Sequence, residues 1–365
     1  MEYLHRVLYP LTKNPDFKMH SKCGKLGIIE VSFAEDFLLF SRGDATSIDL
    51  LMRAFGEFSR STGLSVNPAK CNAYYGNVDA HSQLQIQNIT TFAEGCLPFR
   101  YLGIPLKSKR LSNHHCLILV EKLVSRIKHW SSRLLSFAGR HQLINSVLFA
   151  ITNFWMQSLL IPKQVLKKVE AICRSFLWSR KEIITRKSPV AWERVCTPKN
   201  HGGLNIINLK IWNKVTMCKL LLNLCRKSDS LWIRWVHSYY AKGIDIMEVP
   251  IKQSCSWTLK VVLSCRDDIK DSQVWDNMLR DVKYNSRAMY GELNDSSQQV
   301  VAWRKVLFHN MARPRAMHIL WRACHNSLTT NERLCRFGML ANMECYFVVL
   351  LRLCSIFSLS VILRN

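Results

Sequence analysis

The sequence predicts an α+β fold, a small strand-containing front followed by a mainly helical remainder, on three observations. Two short runs crowded with aromatic and branched residues, Ile28 to Phe33 and Phe37 to Ser41, flank a polar pair and read as a hairpin. Beyond Leu111, apolar residues recur at helical spacing for several successive segments. The chain has 365 residues, enough for two or three cores.

The hairpin comes first. At its tip "FAEDF" places Glu35 beside Asp36 between apolar neighbours. Two readings fit: a polar turn, or a carboxylate pair that holds a hard divalent cation for phosphoryl or nucleotidyl transfer. The next element is a helix capped by Thr46 or Ser47, with Ile48, Leu51, Met52, Phe55 and Phe58 on one face and a stop at Gly63. That stripe is core and carries no chemistry.

Past "GIPLKSKRLS" three helices follow. "CLILVEKLVSRIKHWSSRLLS" puts Leu119, Leu123, Ile127 and Trp130 on one face, with Lys122, Arg126, Lys128 and Arg133 around it. "AGRHQLINSVLFAITNFWMQSLL" is more apolar and ends before Pro162, and "PKQVLKKVEAICRSFLW" makes the third. From Trp178 a basic loop and Gly202-Gly203 break the rhythm; without a following Gly-Lys-Ser the glycine pair reads as a turn. Trp232, Trp235, Trp257 and Trp275 fit either core positions or stacking on unpaired bases. Asn294 to Gln299 is polar and marks a linker.

Charge narrows the partners. There are 51 Lys and Arg against 26 Asp and Glu, a net +25. Between Gly95 and Ser228 the count is 24 basic residues against four acids, Glu121, Glu170, Glu182 and Glu193, so that stretch carries +20 of the total. Such a field suits a polyanion, RNA, DNA or an RNA–DNA hybrid, or else a solvated basic face. Fourteen cysteines, scattered from Cys23 to Cys354 without close pairs or a signal peptide, argue against a secreted disulfide framework and for a nuclear or cytoplasmic setting. The run Cys345 to Leu363 approaches the ~20 apolar residues of a membrane span, but Arg352 sits near its middle; a divergent end is the favoured reading.

Three ordered motifs add a resemblance. Phe33-Ala34-Glu35-Asp36, then Gly63, Leu64, Asn67 and Lys70, then Phe99, Tyr101, Leu102, Gly103, Pro105 and Leu106 resemble the palm of reverse transcriptases of plant non-LTR, LINE-like retroelements. In that family an F-A-D-D tip precedes a G-L-x-x-N-x-x-K turn and an F-x-Y-L-G-x-P-L strand pair, the primer grip. Pro189, Trp192, Pro198, Lys199, Gly202, Gly203, Leu204, Trp212 and Asn213 match a further series of the same family.

The resemblance implies a partial palm over residues 1–107, a helical thumb over 108–178, a connecting helical region over 179–300 and a zinc-domain remnant over 301–365. It implies Mg2+ at Glu35 and Asp36, and nucleic-acid contacts at Lys70, Arg100, Tyr101, Gly103, Arg126, Lys128, Arg133 and Arg140. Departures from the family pattern point to lost chemistry. Glu35 stands where the family has Asp, and Mg2+ tolerates displaced ligands poorly. The family's third carboxylate lies on an upstream strand with no counterpart in the roughly thirty residues before Phe33. Of the Zn2+ ligands Cys345 is present, but Val348 stands three residues on and no histidine follows His325, so no functional cofactor is expected. The implied function is a carboxyl-terminal fragment of an RNA-directed DNA polymerase, inactive but able to bind nucleic acid without sequence preference. The alternatives are a translated pseudogene product with no selected role and an active reverse transcriptase.

Overall fold

The computed structural model describes residues 2–330 and 335, apart from 35, 108, 132–134, 182, 186–187, 281–282, 295–299, 309–312 and 331–334. The expected linker core and the apolar run 345–363 lie outside the described residues. The α+β class is borne out: three two-stranded sheets lie in the first hundred or so residues and helices dominate the rest. The chain forms two units, each discontinuous in sequence: residues 1–110 with 223–257, and residues 111–222 with the segment from 258 onward.

The first unit is built on the hairpin and one long helix. Strands β1 (Glu30–Phe33) and β2 (Asp36–Leu39) pair antiparallel, with Phe33 opposite Asp36. Helices α1 (Glu2–Leu8) and α2 (Ala45–Thr62) pack together, burying Leu4 and Leu8 with Leu51, Ala54, Phe55 and Phe58. The cap of α2 differs from the sequence reading. Asp44 supplies it, accepting from Ser47 N at 2.9 Å, while Ser47 is buried and its hydroxyl accepts from Lys18 N. An Asp with extended backbone, two residues before Thr46 and three before Ser47, outcompetes both hydroxyls. The stop is as expected: Gly63 has φ +71°, a left-handed conformation that glycine adopts without a Cβ penalty.

A short parallel pair, β3 (Asn72–Ala73) and β4 (Ala93–Glu94), brackets α3 (Ala80–Thr90). Strands β5 (Phe99–Tyr101) and β6 (Ile104–Leu106) form a second hairpin. Its two central residues, Leu102 and Gly103, both have positive φ, as the tight turn that matches strand twist requires. Residues 223–257 close this unit against the loop before β1. Trp235 Nε1 donates to Lys22 O at 2.7 Å and Tyr239 Oη accepts from Lys25 N at 2.9 Å.

The second unit holds the larger core. Helix α4 (Leu117–Ser131) is followed by α5 (Phe137–Leu143), a π-turn at Ile144–Leu148, α6 (Phe149–Met156) and α7 (Lys163–Ser179). Leu119, Leu123 and Ile127 of the predicted α4 stripe are buried, with Trp130 packed beside them, and α7 adds Leu166, Val169 and Phe176 to the same core. The Gly202-Gly203 pair is a turn. A Cβ on Gly203 would sit 1.9 Å from Thr197 O, so the backbone passes where no side chain fits. Gly202 O accepts from both Trp321 Nε1 (2.7 Å) and His325 Nε2 (2.8 Å), docking the helix Pro314–Cys324 on this turn.

Candidate nucleic-acid interface

At the tip of the first hairpin, Asp36 is exposed and Phe33, its partner, is 60% exposed. Ala34 turns the chain with φ +49°; Glu35 lies outside the described residues. Cross-strand partners share a sheet face and alternate along each strand. Glu30, Ser32, Phe37 and Leu39 therefore share one face, and Phe37 and Leu39 pack on the core with α2. Asp36 shares the other with Phe33. Glu30, the acid nearest upstream, is thus turned away from Asp36. Its Oε1 lies 3.1 Å from His5 Nδ1 and its side chain is only 10% exposed. Among the described residues no group of three His, Cys, Asp or Glu side chains gathers where it could hold a metal ion.

The motif residues after the hairpin are placed by turns and short strands. Lys70 ends a single turn, Pro68–Lys70, capped by Asn67, whose Oδ1 accepts from Ala69 N at 3.0 Å. Arg100 is exposed on β5 opposite Pro105, Tyr101 is half-buried, and Gly103 occupies the turn. The stacked pair behind them is Tyr74 on Phe99, with ring centroids 4.5 Å apart.

The helical unit carries exposed basic side chains on two packed helices. Helices α4 and α7 pack side by side and run the same way. At one end Asn113 Nδ2 donates to Gln164 Oε1; at the other Trp130 lies 5.8 Å from Phe176. With Leu123, Ile127, Leu166 and Val169 turned inward, Lys122, Arg126 and Lys128 of α4 and Lys163, Lys167 and Lys168 of α7 are exposed. Among the described residues none of these six pairs with a carboxylate. The α7 lysines were absent from the sequence-based site, although "KQVLKK" carries the signal: Lys163 one turn before the adjacent Lys167 and Lys168, beside Leu166 and Val169.

Two expected contacts from the same region do not join this surface. Arg133 lies outside the described residues. Arg140 is corrected by the structure: it is 5% exposed, its Nε donates to Leu177 O at 2.9 Å and its Nη1 to Leu135 O at 2.7 Å. Leu177 lies in the last turn of α7, where unpaired carbonyls and the helix dipole favour a cation. Burial, helped by the nearby Arg180 charge, pulls the guanidinium pKa down to about 10, which leaves it charged at neutral pH. Arg140 is a packing cation, not a rim cation.

The histidines and tryptophans divide similarly. His318 stacks on Phe137 at 3.7 Å, and burial, then the Arg322 and Arg140 charges, push its pKa down to about 4. His325 is spent on Gly202 O. Trp275 is 2% exposed and Trp235 is bonded to Lys22 O, while Trp257 is partly exposed under the Arg110 guanidinium, 5.3 Å from its ring. Cys345 lies outside the described residues.

Comparison with known proteins gives a family match and two relatives. Residues 284–350 match the family model described as zinc-binding in reverse transcriptase. A protein of Arabidopsis thaliana named as a ribonuclease H protein is 30% identical over 140 residues, 38% of this chain and 23% of its own length. An uncharacterized mitochondrial protein of the same plant is 24% identical over 119 residues, 32% of this chain and 77% of its own. The chain therefore spans under a quarter of the first relative. No helix among the described residues is long and apolar enough to cross a membrane. The matched segment and these two relatives support a reverse-transcriptase-related protein of retroelement type.

Proposed function

We propose that this chain is a carboxyl-terminal portion of a LINE-like, non-LTR reverse transcriptase that binds nucleic-acid backbone and does not polymerise. The observation that carries the binding half is the exposed set on α4 and α7 that forms no ion pair among the described residues: Lys122, Arg126, Lys128, Lys163, Lys167 and Lys168. Side chains that meet phosphates position a duplex without reading its sequence. RNA–DNA hybrid, duplex RNA and DNA are the partners this surface suits.

The test is salt dependence. Binding of a fluorescent RNA–DNA hybrid should weaken steeply with salt, because each neutralised phosphate releases counterions and adds roughly −0.9 to the log–log slope on B-form DNA. Replacing Arg126, Lys128, Lys167 and Lys168 by Ala should weaken all sequences alike and flatten that slope by about 2 to 4. A variant that keeps both affinity and slope places the contact elsewhere. Failure of the folded wild-type chain to bind removes the proposal.

The inactivity half rests on the hairpin. Glu35 adds a methylene where the resembling family has Asp, and Glu30 faces away from Asp36. Primer extension on RNA or DNA templates with Mg2+ should therefore give no more incorporation than an Asp36→Ala control. Template-dependent product above that control would show the pair to be a working metal site.

A further inference from the structure

The π-turn at Ile144–Leu148 lines a cavity of about 20 Å³ whose other walls include Phe149, Val169, Cys173 and Trp192. That volume matches one water molecule and little more, since about 10–15 Å³ on this measure is the minimum for one. The walls are mostly apolar, and the hydroxyl of Thr152, which also lines the space, already donates to Leu148 O. Among the described residues no group accepts the proton of the buried Trp192 Nε1, and one terminal atom of the Asn145 amide, also buried, has no partner there. Both residues line the cavity.

The neighbouring histidine fixes which atom of Asn145 is involved. His141 Nε2 lies 2.9 Å from Leu204 O, and a carbonyl only accepts, so Nε2 carries the proton. The Asn145 amide lies 3.3 Å from that same nitrogen. Its oxygen, the acceptor, belongs there, which leaves the NH2 group as the end without a protein partner. Two N–H donors thus belong to residues that line a space the size of one water. An unpaired buried donor costs about 1–3 kcal/mol, so two in one small cavity call for a shared acceptor.

We propose that this cavity holds one ordered water molecule, accepting from Trp192 Nε1–H and from the Asn145 amide. Cys173, whose sulfur is a weak acceptor, lies on the same wall to take one of its hydrogens. The water joins the π-turn to the stretch around Trp192 and is part of the fold of the second unit. This inference is independent of the nucleic-acid reading.

The experiment uses the full-length chain with 15N-labelled tryptophan. The Trp192 indole resonance, identified by its disappearance in Trp192→Phe, should show an exchange-independent cross-peak to water. A crystal structure at about 1.5 Å should place density 2.7–3.2 Å from Trp192 Nε1. Asn145→Leu, which fills the space with apolar atoms, should abolish the cross-peak. Absence of both cross-peak and density in the wild-type protein overturns the proposal whether or not the variant folds. So does a signal that follows chloride concentration, which would identify a halide as the acceptor.

Discussion

Arg140 shows what one residue contributes when its environment is known. The sequence places it in an apolar helix, between Phe137 and Leu143, and a rim position is the natural reading for a guanidinium. The structure instead spends it on two backbone carbonyls, Leu177 O in the last turn of α7 and Leu135 O just before α5. The cue was its rarity: Arg140 is the only Lys or Arg between Arg133 and Lys163, and a lone cation in an apolar run is often drawn inward by carbonyls with no other donor. Arg140→Met should destabilise the fold by roughly 3 kcal/mol, because two acceptors lose charged donors in a buried setting. Urea unfolding measures this. Once the variant is folded, the salt slope of nucleic-acid binding should be unchanged, which separates Arg140 from Arg126 and Lys128. Side-chain direction at Arg126 was legible because Leu123 and Ile127 fix the helix phase; at Arg140 one acceptor is the nearby Leu135 O, but the other, Leu177 O, comes from 37 positions away, and no local pattern shows it.

Elements were read more securely than residues. The first hairpin, the stop of α2 at Gly63 and the phase of α4 follow from strand composition, turn chemistry and helical spacing, while the second hairpin was legible only through the family resemblance. The π-turn inside the apolar helix was not foreseen, since its wider hydrogen-bonding leaves no mark in a run such as "LINSVLF". Glycines at two elements give a paired test. Gly203→Ala should destabilise by roughly 3 kcal/mol or prevent folding, because its Cβ would overlap Thr197 O at 1.9 Å. Gly56→Ala, inside α2 with nothing within 4 Å of the added carbon, should stabilise by about 0.5–1 kcal/mol. Thermal or urea unfolding of the two variants reads opposite signs. Equal effects would mean that the turn at 202–203 yields easily.

At the scale of the whole molecule, the net +25 was plain from composition, but its sorting into exposed and buried cations was not. The same holds for histidine. His318 has a folded pKa of about 4, below its ordinary 6.5, so the unfolded chain binds a proton more readily between those values. Its contribution is complete above about pH 6.5 and is lost as pH falls toward 4. His141 and His325 are also lowered by burial and act in the same direction. Unfolding midpoints between about pH 7 and pH 4 should fall more gently in His318→Phe than in the wild-type chain. Parallel profiles would remove His318 as a source of acid sensitivity. The discontinuity of the two units has a further effect, on the order in which the chain is made. Residues 1–110 leave the ribosome early, but Trp235 and Tyr239, which fasten the loop at Lys22 and Lys25, arrive more than a hundred residues later. At about 5–20 residues per second the first segment waits on the order of ten seconds for its partner. For that interval its three small sheets stand with the closing segment still unsynthesised, and nascent-chain stability, not final stability, sets how much of the protein survives its own synthesis.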